Sequence, residues 1–172
     1  VTFTFTVPED GYYQIALRYV QKWNDGMPAY RSIAIDGEIP CAELAAYRFT
    51  YGDDWRTETL GDGERDFRFW LEAGEHTLTM RAVLGELTPI IQSVYDDMLV
   101  ISDLMKDINQ LTGSDPEPNY DYQFFTYIPT LEDDLRGLSE RLKQKSEMLK
   151  AITAKSTSMS SNLLSIASQL DA

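Results

Sequence analysis

Apolar and polar residues alternate with a period of two through the first half of the chain. Val1, Phe3, Phe5 and Val7 alternate with threonines, and Pro8-Glu9-Asp10-Gly11 makes a turn. Tyr13, Ile15, Leu17 and Tyr19 form the next apolar face. Ser32-Ile33-Ala34-Ile35 runs into Asp36-Gly37, a tight-turn signal. Tyr47, Phe49 and Tyr51 alternate in a short strand, and Trp55 to Leu60 is another, ended by Gly61-Asp62-Gly63. Phe67, Phe69 and Leu71 lead to a predicted turn at Ala73-Gly74-Glu75-His76, and Leu78, Met80, Ala82 and Leu84 close the series. Short strands at this spacing predict an antiparallel β-sandwich, with the stretch Gln21 to Tyr30 as a loop at one end.

Near residue 88 the period changes to 3.6. Pro89 suits a helix's first turn, and Ile90, Ile91, Val94, Met98, Ile101, Leu104, Met105, Ile108 and Leu111 share a broad face that ends at Gly113. Ser114 to Tyr120 reads as a loop and Asp121 to Tyr127 as a short helical turn. A second long helix starts around Pro129, with Glu132, Asp133 and Asp134 in its opening turn and Lys143, Lys145 and Lys150 later, as the helix dipole favours. Ser156 to Ser161 reads as a polar break before a third helix carrying Leu163, Leu164, Ile166, Ala167 and Leu170. The predicted class is α+β. A sandwich over residues 1–88 precedes an antiparallel bundle of about three helices over 89–172. The bundle's Leu and Met stripes are expected to be core, with one residual face left as an interdomain contact.

Charge narrows the partners. The 172 residues carry a formal net charge of −13, spread along the chain as 8 basic against 15 acidic residues up to position 88 and 7 against 13 after it. Such a surface repels phosphate backbones and anionic lipid headgroups, which argues against nucleic acid. A neutral sugar feels no such penalty. No apolar run is long enough to span a bilayer. The chain opens on Val1 inside a strand pattern, so it reads as an excised or processed piece. Cys41 is the only cysteine, which rules out an intramolecular disulfide, and it is expected to be a small buried apolar group. With one His and one Cys a zinc site is not expected. His76 has no evident nucleophile partner and is expected to be a solvated turn residue. Paired carboxylates such as Asp53-Asp54 and Asp96-Asp97 do not stand out from a general acidic surface, so no catalytic residues are assigned.

Three stretches of the first half resemble the galactose-binding-like jelly rolls that include several carbohydrate-binding modules. They are Val1-Thr2-Phe3-Thr4-Phe5-Thr6-Val7-Pro8-Glu9-Asp10-Gly11-Tyr12-Tyr13, Ser32-Ile33-Ala34-Ile35-Asp36-Gly37 and Trp70-Leu71-Glu72-Ala73-Gly74-Glu75-His76-Thr77-Leu78-Thr79. A resemblance over nearly the whole chain is carried by Leu84-Gly85-Glu86-Leu87-Thr88-Pro89-Ile90-Ile91, Leu111-Thr112-Gly113, Asp115-Pro116 and Asp121-Tyr122-Gln123. These look like large bacterial extracellular solute-binding proteins of sugar ABC transporters. The resemblance implies an accessory jelly roll, here without its opening and closing strands, and a helical bundle inserted before the last strand. It implies an extracytoplasmic, cell-surface protein that is lipid-anchored at full length. The implied partners are an oligosaccharide or polysaccharide, the remaining domains of the parent binding protein, and its membrane permease. No cofactor is implied. Jelly rolls often hold a structural calcium, but no loop shows the spaced Asp/Asn/Gly pattern such a site needs.

Sugar-binding modules use aromatic rings because a pyranose presents an apolar C–H face, while polar side chains take its hydroxyls. The candidate carbohydrate-binding residues are therefore the loop aromatics and their neighbours: Trp23, Asn24, Asp25, Tyr30, Arg31 and Trp55. Large aromatics are more often packing residues, so the competing assignment makes Trp55 core and Trp23 a cap on the sandwich end. Trp70, between Phe69 and Leu71, is assigned to packing or a module interface. The expected function is non-catalytic carbohydrate recognition. Its rival is a purely structural spacer or interaction module that binds no ligand.

Overall fold

Pleating and coiling divide the computed structural model, which describes residues 1–24, 26–153 and 155–171, into two compact units, Val1–Glu86 and Leu87–Ala172. The first is built from β1 (Thr2–Val7), β2 (Gly11–Tyr13), β3 (Ala16–Gln21), β4 (Ala29–Ile35), β5 (Tyr47–Phe49), β6 (Gly52–Thr59), β7 (Phe69–Leu71) and β8 (Gly74–Val83). All pairings are antiparallel. A four-stranded sheet runs in the order β1-β8-β4-β5, while β2 pairs with β7 and β3 with β6. The Leu60 N–H donates to the Ile15 carbonyl at 2.9 Å, which joins the two short ladders end to end into one ribbon. The single strand expected over Tyr13 to Tyr19 is therefore interrupted, and β6 and β7 are one line broken by an excursion that Gly61 and Asp66 close as a bridge.

The core lies between the four-stranded sheet and this ribbon. Val7, Ile33, Ile35, Leu78, Phe69, Leu71, Leu44 and Leu60 are buried together, with Tyr13, Ile15, Leu17, Tyr19 and a partly buried Cys41 packed against them. Leu44 enters from a 3₁₀ turn over Ala42–Ala46 that the strand pattern does not signal. The Asp36-Gly37 turn forms as its sequence predicts. Both residues have positive φ (51° and 88°), and Ile35 and Glu38 exchange backbone hydrogen bonds of 2.8 and 3.0 Å. The turn predicted at Ala73 to His76 is instead the start of β8, so His76 is a strand residue.

The second unit contains α1 (Thr88–Thr112), the one-turn α2 (Phe124–Tyr127), α3 (Leu131–Thr153) and α4 (Ser158–Leu170). Antiparallel sheets followed by helices make the chain α+β. Pro89 occupies the first turn of α1, and Gly113 ends it at φ 73°. The predicted polar break at Ser156 to Ser161 is mostly helix. Thr157 and Ser160 form a capping box, with backbone-to-hydroxyl bonds of 3.2 and 2.9 Å, so the hydroxyls start α4 rather than interrupt it. Small residues spaced by seven, Ser139 and Ser146 on α3 and Ser160 and Ala167 on α4, are fully buried. Their size lets the two backbones approach, and the Ser139 and Ser146 hydroxyls donate across to the carbonyls of Ala167 (3.1 Å) and Ser160 (2.9 Å). Of the α1 stripe expected to be core, Ile90 and Leu104 are buried, but Met98, Ile101 and Met105 are exposed.

Helices α1 and α3 are pinned by charge. Asp97 on α1 is buried and accepts from Arg141 Nε at 2.7 Å on one oxygen and from the buried Lys145 Nζ at 2.6 Å on the other. Both ions have left water, so each depends on the other. Removing one partner of such a pair costs about 3–5 kcal/mol, because the remaining charge is stranded, whereas an apolar replacement of both is far milder. Asp97→Ala should therefore destabilise the chain by about 3–5 kcal/mol in urea denaturation, and Asp97→Leu combined with Lys145→Met should recover most of that. A loss under about 1 kcal/mol for Asp97→Ala would mean the ion pair does not hold the helices.

Candidate carbohydrate-binding surface

Alternation along the ribbon decides which side chains reach solvent. Tyr13, Ile15, Leu17 and Tyr19 turn inward, so Tyr12, Ala16 and Arg18 turn outward. On the facing strand Arg56 pairs with Tyr19, and Arg56 and Glu58 share its inner side. The Tyr19 hydroxyl donates to Glu58 at 2.7 Å, and Arg56 donates to Thr50 at 2.7 Å. This polar cluster fixes β6 from beneath. Trp55 then points to the opposite, outer side, where it is 63 % exposed and the Arg18 guanidinium lies 5.4 Å from its ring centroid. Trp55 stands on a strand, as the alternation predicts, but it faces solvent and does not take the core position of the competing assignment.

Trp23 lies in the loop between β3 and β4, just beyond the Gln21–Gly52 pair that ends the ribbon. It is 69 % exposed and does not cap the sandwich end. Three features hold the loop while leaving the indole outside. Met27 is buried, its N–H bonds to the Asn24 carbonyl at 2.8 Å, and the Gln21 amide donates to the carbonyls of Trp23 (3.0 Å) and Met27 (3.3 Å). Asn24 takes φ 59°, a left-handed conformation that asparagine tolerates, and is exposed. Lys22 Nζ sits 5.9 Å from the Trp23 ring. Asp25 lies outside the described residues.

Two candidates separate from this group. Tyr30 is only 3 % exposed, covered by the turn at Gly85, and its hydroxyl donates to Glu86 at 2.8 Å. A Cβ at Gly85 would lie 2.4 Å from the Tyr30 ring, and Gly85 has φ 53°, so this cover requires glycine. Burial, with Glu86 beside it, pushes the Tyr30 hydroxyl up to about 12. Tyr30 is therefore a packing residue and presents no face to a ligand. Arg31 points to the other side of β4, into the space between sheet and ribbon, and donates to the Tyr30 carbonyl at 2.8 Å. That space is a cleft of about 580 Å³ walled by Phe5, Tyr13, Leu17, Tyr19, Leu78 and Met80. Its lining is mainly apolar and would leave most sugar hydroxyls unpaired. Arg18 and Lys22, which flank the exposed indoles, were missing from the sequence-based set. The alternation that sends Arg18 outward was the signal that could have found it.

His76 is not solvated. Its side chain is 12 % exposed, with Nδ1 2.6 Å from Asp36 Oδ2 and Nε2 2.7 Å from the Glu72 carbonyl. Both ring nitrogens face acceptors, so the imidazolium satisfies both. The Glu72 carbonyl and then Asp36 hold the His76 pKa above its ordinary 6.5. The His76 hydrogen bond, followed by the Thr77 N–H at 2.8 Å, holds the Asp36 carboxyl below its ordinary 3.8. Among the described residues no three His, Cys, Asp or Glu side chains gather as a metal site requires.

Residues 89–172 match the family model of the bacterial solute-binding protein, 4-helix bundle domain. The helical half of the chain is thus similar to a domain of bacterial solute-binding proteins. No described helix is long and apolar enough to cross a membrane. No curated protein matches the chain. Among solved structures it is similar to a cycloisomaltooligosaccharide glucanotransferase of Paenibacillus sp. complexed with cycloisomaltoheptaose, at 28 % identity and a TM-score of 0.36, over 46 % of this chain and 10 % of that one. The chain therefore corresponds to a small part of that enzyme's length.

Two outcomes follow from these contacts. The folded His76 pKa is raised, so its contribution is full below 6.5 and is lost as pH climbs through the raised value. The folded Asp36 pKa is lowered, so its contribution is lost as pH falls through that lowered value. The melting temperature should thus decline as pH rises past 6.5, and His76→Phe should lack that step; an unchanged pH profile in the variant would remove the clamp. Tyr30→Phe should cost about 1 kcal/mol in denaturant titrations and leave any glycan binding intact.

Proposed function

We propose that this chain is a non-catalytic carbohydrate-recognition module of an extracellular bacterial solute-binding protein serving a sugar ABC transporter. The observation that carries this reading is the outward Trp55 with Arg18 over its ring, at the same end of the ribbon as the exposed Trp23 loop. An exposed indole wastes apolar surface unless something covers it. A pyranose supplies an apolar C–H face for the ring and hydroxyls for a neighbouring cation. Trp55, Arg18, Trp23 and Lys22 offer rings and cations, which hold a sugar but supply no nucleophile or acid–base pair. The match of residues 89–172 supports membership in a bacterial solute-binding protein. On this proposal the protein works outside the cytoplasm, held at the cell surface by a lipid anchor. The sandwich would be its jelly-roll accessory module. The ligand is an oligosaccharide or polysaccharide, consistent with a charge of −13 that disfavours anionic partners.

Covering about 100 Å² of indole contributes about 2.5 kcal/mol, more than a tenfold change in affinity. Trp55→Ala should therefore abolish or weaken by more than tenfold any calorimetric or glycan-array signal, with the melting temperature nearly unchanged. Trp23→Ala should act in the same direction. A parent chain silent on every glycan, yet associating with the remainder of a solute-binding protein, would leave the spacer function instead.

A further inference from the structure

Trp70, which the sequence assigns to packing or a module interface, is 57 % exposed and therefore not a packing residue of the core. It sits opposite Tyr12 in the β2–β7 ladder, the two rings are 5.1 Å apart and inclined at 73°, and Tyr12 is itself 71 % exposed. Two large aromatics edge to face on an outer strand pair form an apolar patch that the sandwich core does not use. A concavity of about 350 Å³ adjoins it, with Arg68 and Trp70 from β7 and its approach on one side and Asp36, Glu38 and Pro40 from the hairpin after β4 on the other. Asp36 is committed to His76 and Thr77. Arg68 and Glu38 are exposed, and their side chains have no hydrogen-bond or ion-pair partner among the described residues.

We infer that Trp70, backed by Tyr12 and flanked by Arg68 and Glu38, is a second carbohydrate subsite, which lets the ribbon hold an extended neutral oligosaccharide rather than a single sugar. The inference rests on the carbohydrate reading of the Trp55 surface. Tyr12 on β2 and Arg18 on β3 both face outward on the ribbon, six residues apart, which at about 3.3 Å per residue separates the two aromatic stations by at most about 20 Å. No single sugar ring reaches both, but a chain of several does. The two stations share the chemistry that suits such a ligand: a solvent-facing indole for C–H faces and an adjacent guanidinium for hydroxyls. At Trp70 a free carboxylate adds a strong acceptor, so each hydroxyl rim meets both a donor and an acceptor. Linked subsites act together because the second contact is made by a ligand already tethered.

The test uses the 172-residue chain, linear α- and β-glucans from two to eight units as probes, and calorimetry with indole N–H NMR. In the parent the Trp70 indole resonance should shift with long glucans and stay fixed with disaccharides. Trp70→Ala should weaken binding of the longer chains by tenfold or more and leave disaccharide affinity at the Trp55 station unchanged, while Trp55→Ala removes disaccharide binding. Arg68→Ala gives a milder version of the Trp70 effect and covers the case in which Trp70→Ala alters the melting temperature. If glucans bind but neither Trp70→Ala nor Arg68→Ala changes affinity at any length, this subsite is overturned and the Trp55 reading survives. A Trp70 resonance that ignores glucans and broadens with protein concentration would make the patch a self-association face, also overturning it. If no glucan binds the parent at all, both readings fail together.

Discussion

The pleat of one ribbon governs what this protein shows to its surroundings. Tyr13, Ile15, Leu17 and Tyr19 must face the core because the four-stranded sheet supplies Val7, Ile33, Ile35 and Leu78 to meet them. A strand side chain has two choices, so commitment of the odd positions sends Tyr12 and Arg18 outward. Pairing carries the decision across. Trp70 faces out because Phe69 and Leu71 are buried, and Trp55 faces out because Arg56 and Glu58 are held inside by Tyr19 and Thr50. A slip of one residue would bury Arg18 and expose the core row. Exposure of the aromatics is therefore a consequence of the core and not a local accident.

Much of the architecture was legible because it rests on periodicity. The change of period before Pro89 falls beside the first residue of α1, the Asp36-Gly37 turn forms where its residues demand, and Gly113 ends α1. Where structure and sequence differ the cause is shared: local composition does not reveal the distant partner that satisfies it. Gly74-Glu75-His76 looks like a turn, yet its backbone pairs with Phe5, Thr6 and Val7. Thr157 and Ser160 look like a break, yet their hydroxyls bond to each other's N–H groups and begin a helix. The 3₁₀ turn carrying Leu44 has no periodic signature, and only the hole it fills explains it.

The candidate surface was less legible for a related reason. Trp23, Tyr30 and Trp55 are all aromatics near apparent loops, and sequence does not distinguish them. The difference lies in contacts far along the chain: Glu86 and Gly85 cover Tyr30, whereas no comparable cover meets Trp23 or Trp55. Arg31 and Tyr30 are neighbours in sequence but face opposite sides of β4, so they could never have shared one ligand surface. For Trp70 the sequence leaves packing and a module interface open, and the pairing with Tyr12 on the outer face removes the first.

Electrostatics at the end of the ribbon that carries Trp55 and Trp23 sharpen the chemistry further. The net charge of −13 is spread over both halves of the chain, and at physiological salt its influence on any one ring fades beyond about 8 Å. What a ligand meets at Trp55 is therefore Arg18 at 5.4 Å, and at Trp23 it is Lys22 at 5.9 Å. A cation over an exposed indole contributes only about 0.5–1 kcal/mol, too little to explain why a large ring is left in water. Under the proposed function the pairing prepares the ring for a ligand. The guanidinium of the exposed Arg18 is held near the ring by that weak attraction, and its donors have no hydrogen-bond partner among the described residues. A sugar that lays its C–H face on the indole brings hydroxyl oxygens to those donors without either side chain having to be ordered first, which lowers the entropic cost of binding. An anionic ligand would gain from the same cation but would meet the acidic remainder of the surface as it approached, so on the proposed reading the distribution of charge favours a neutral ligand.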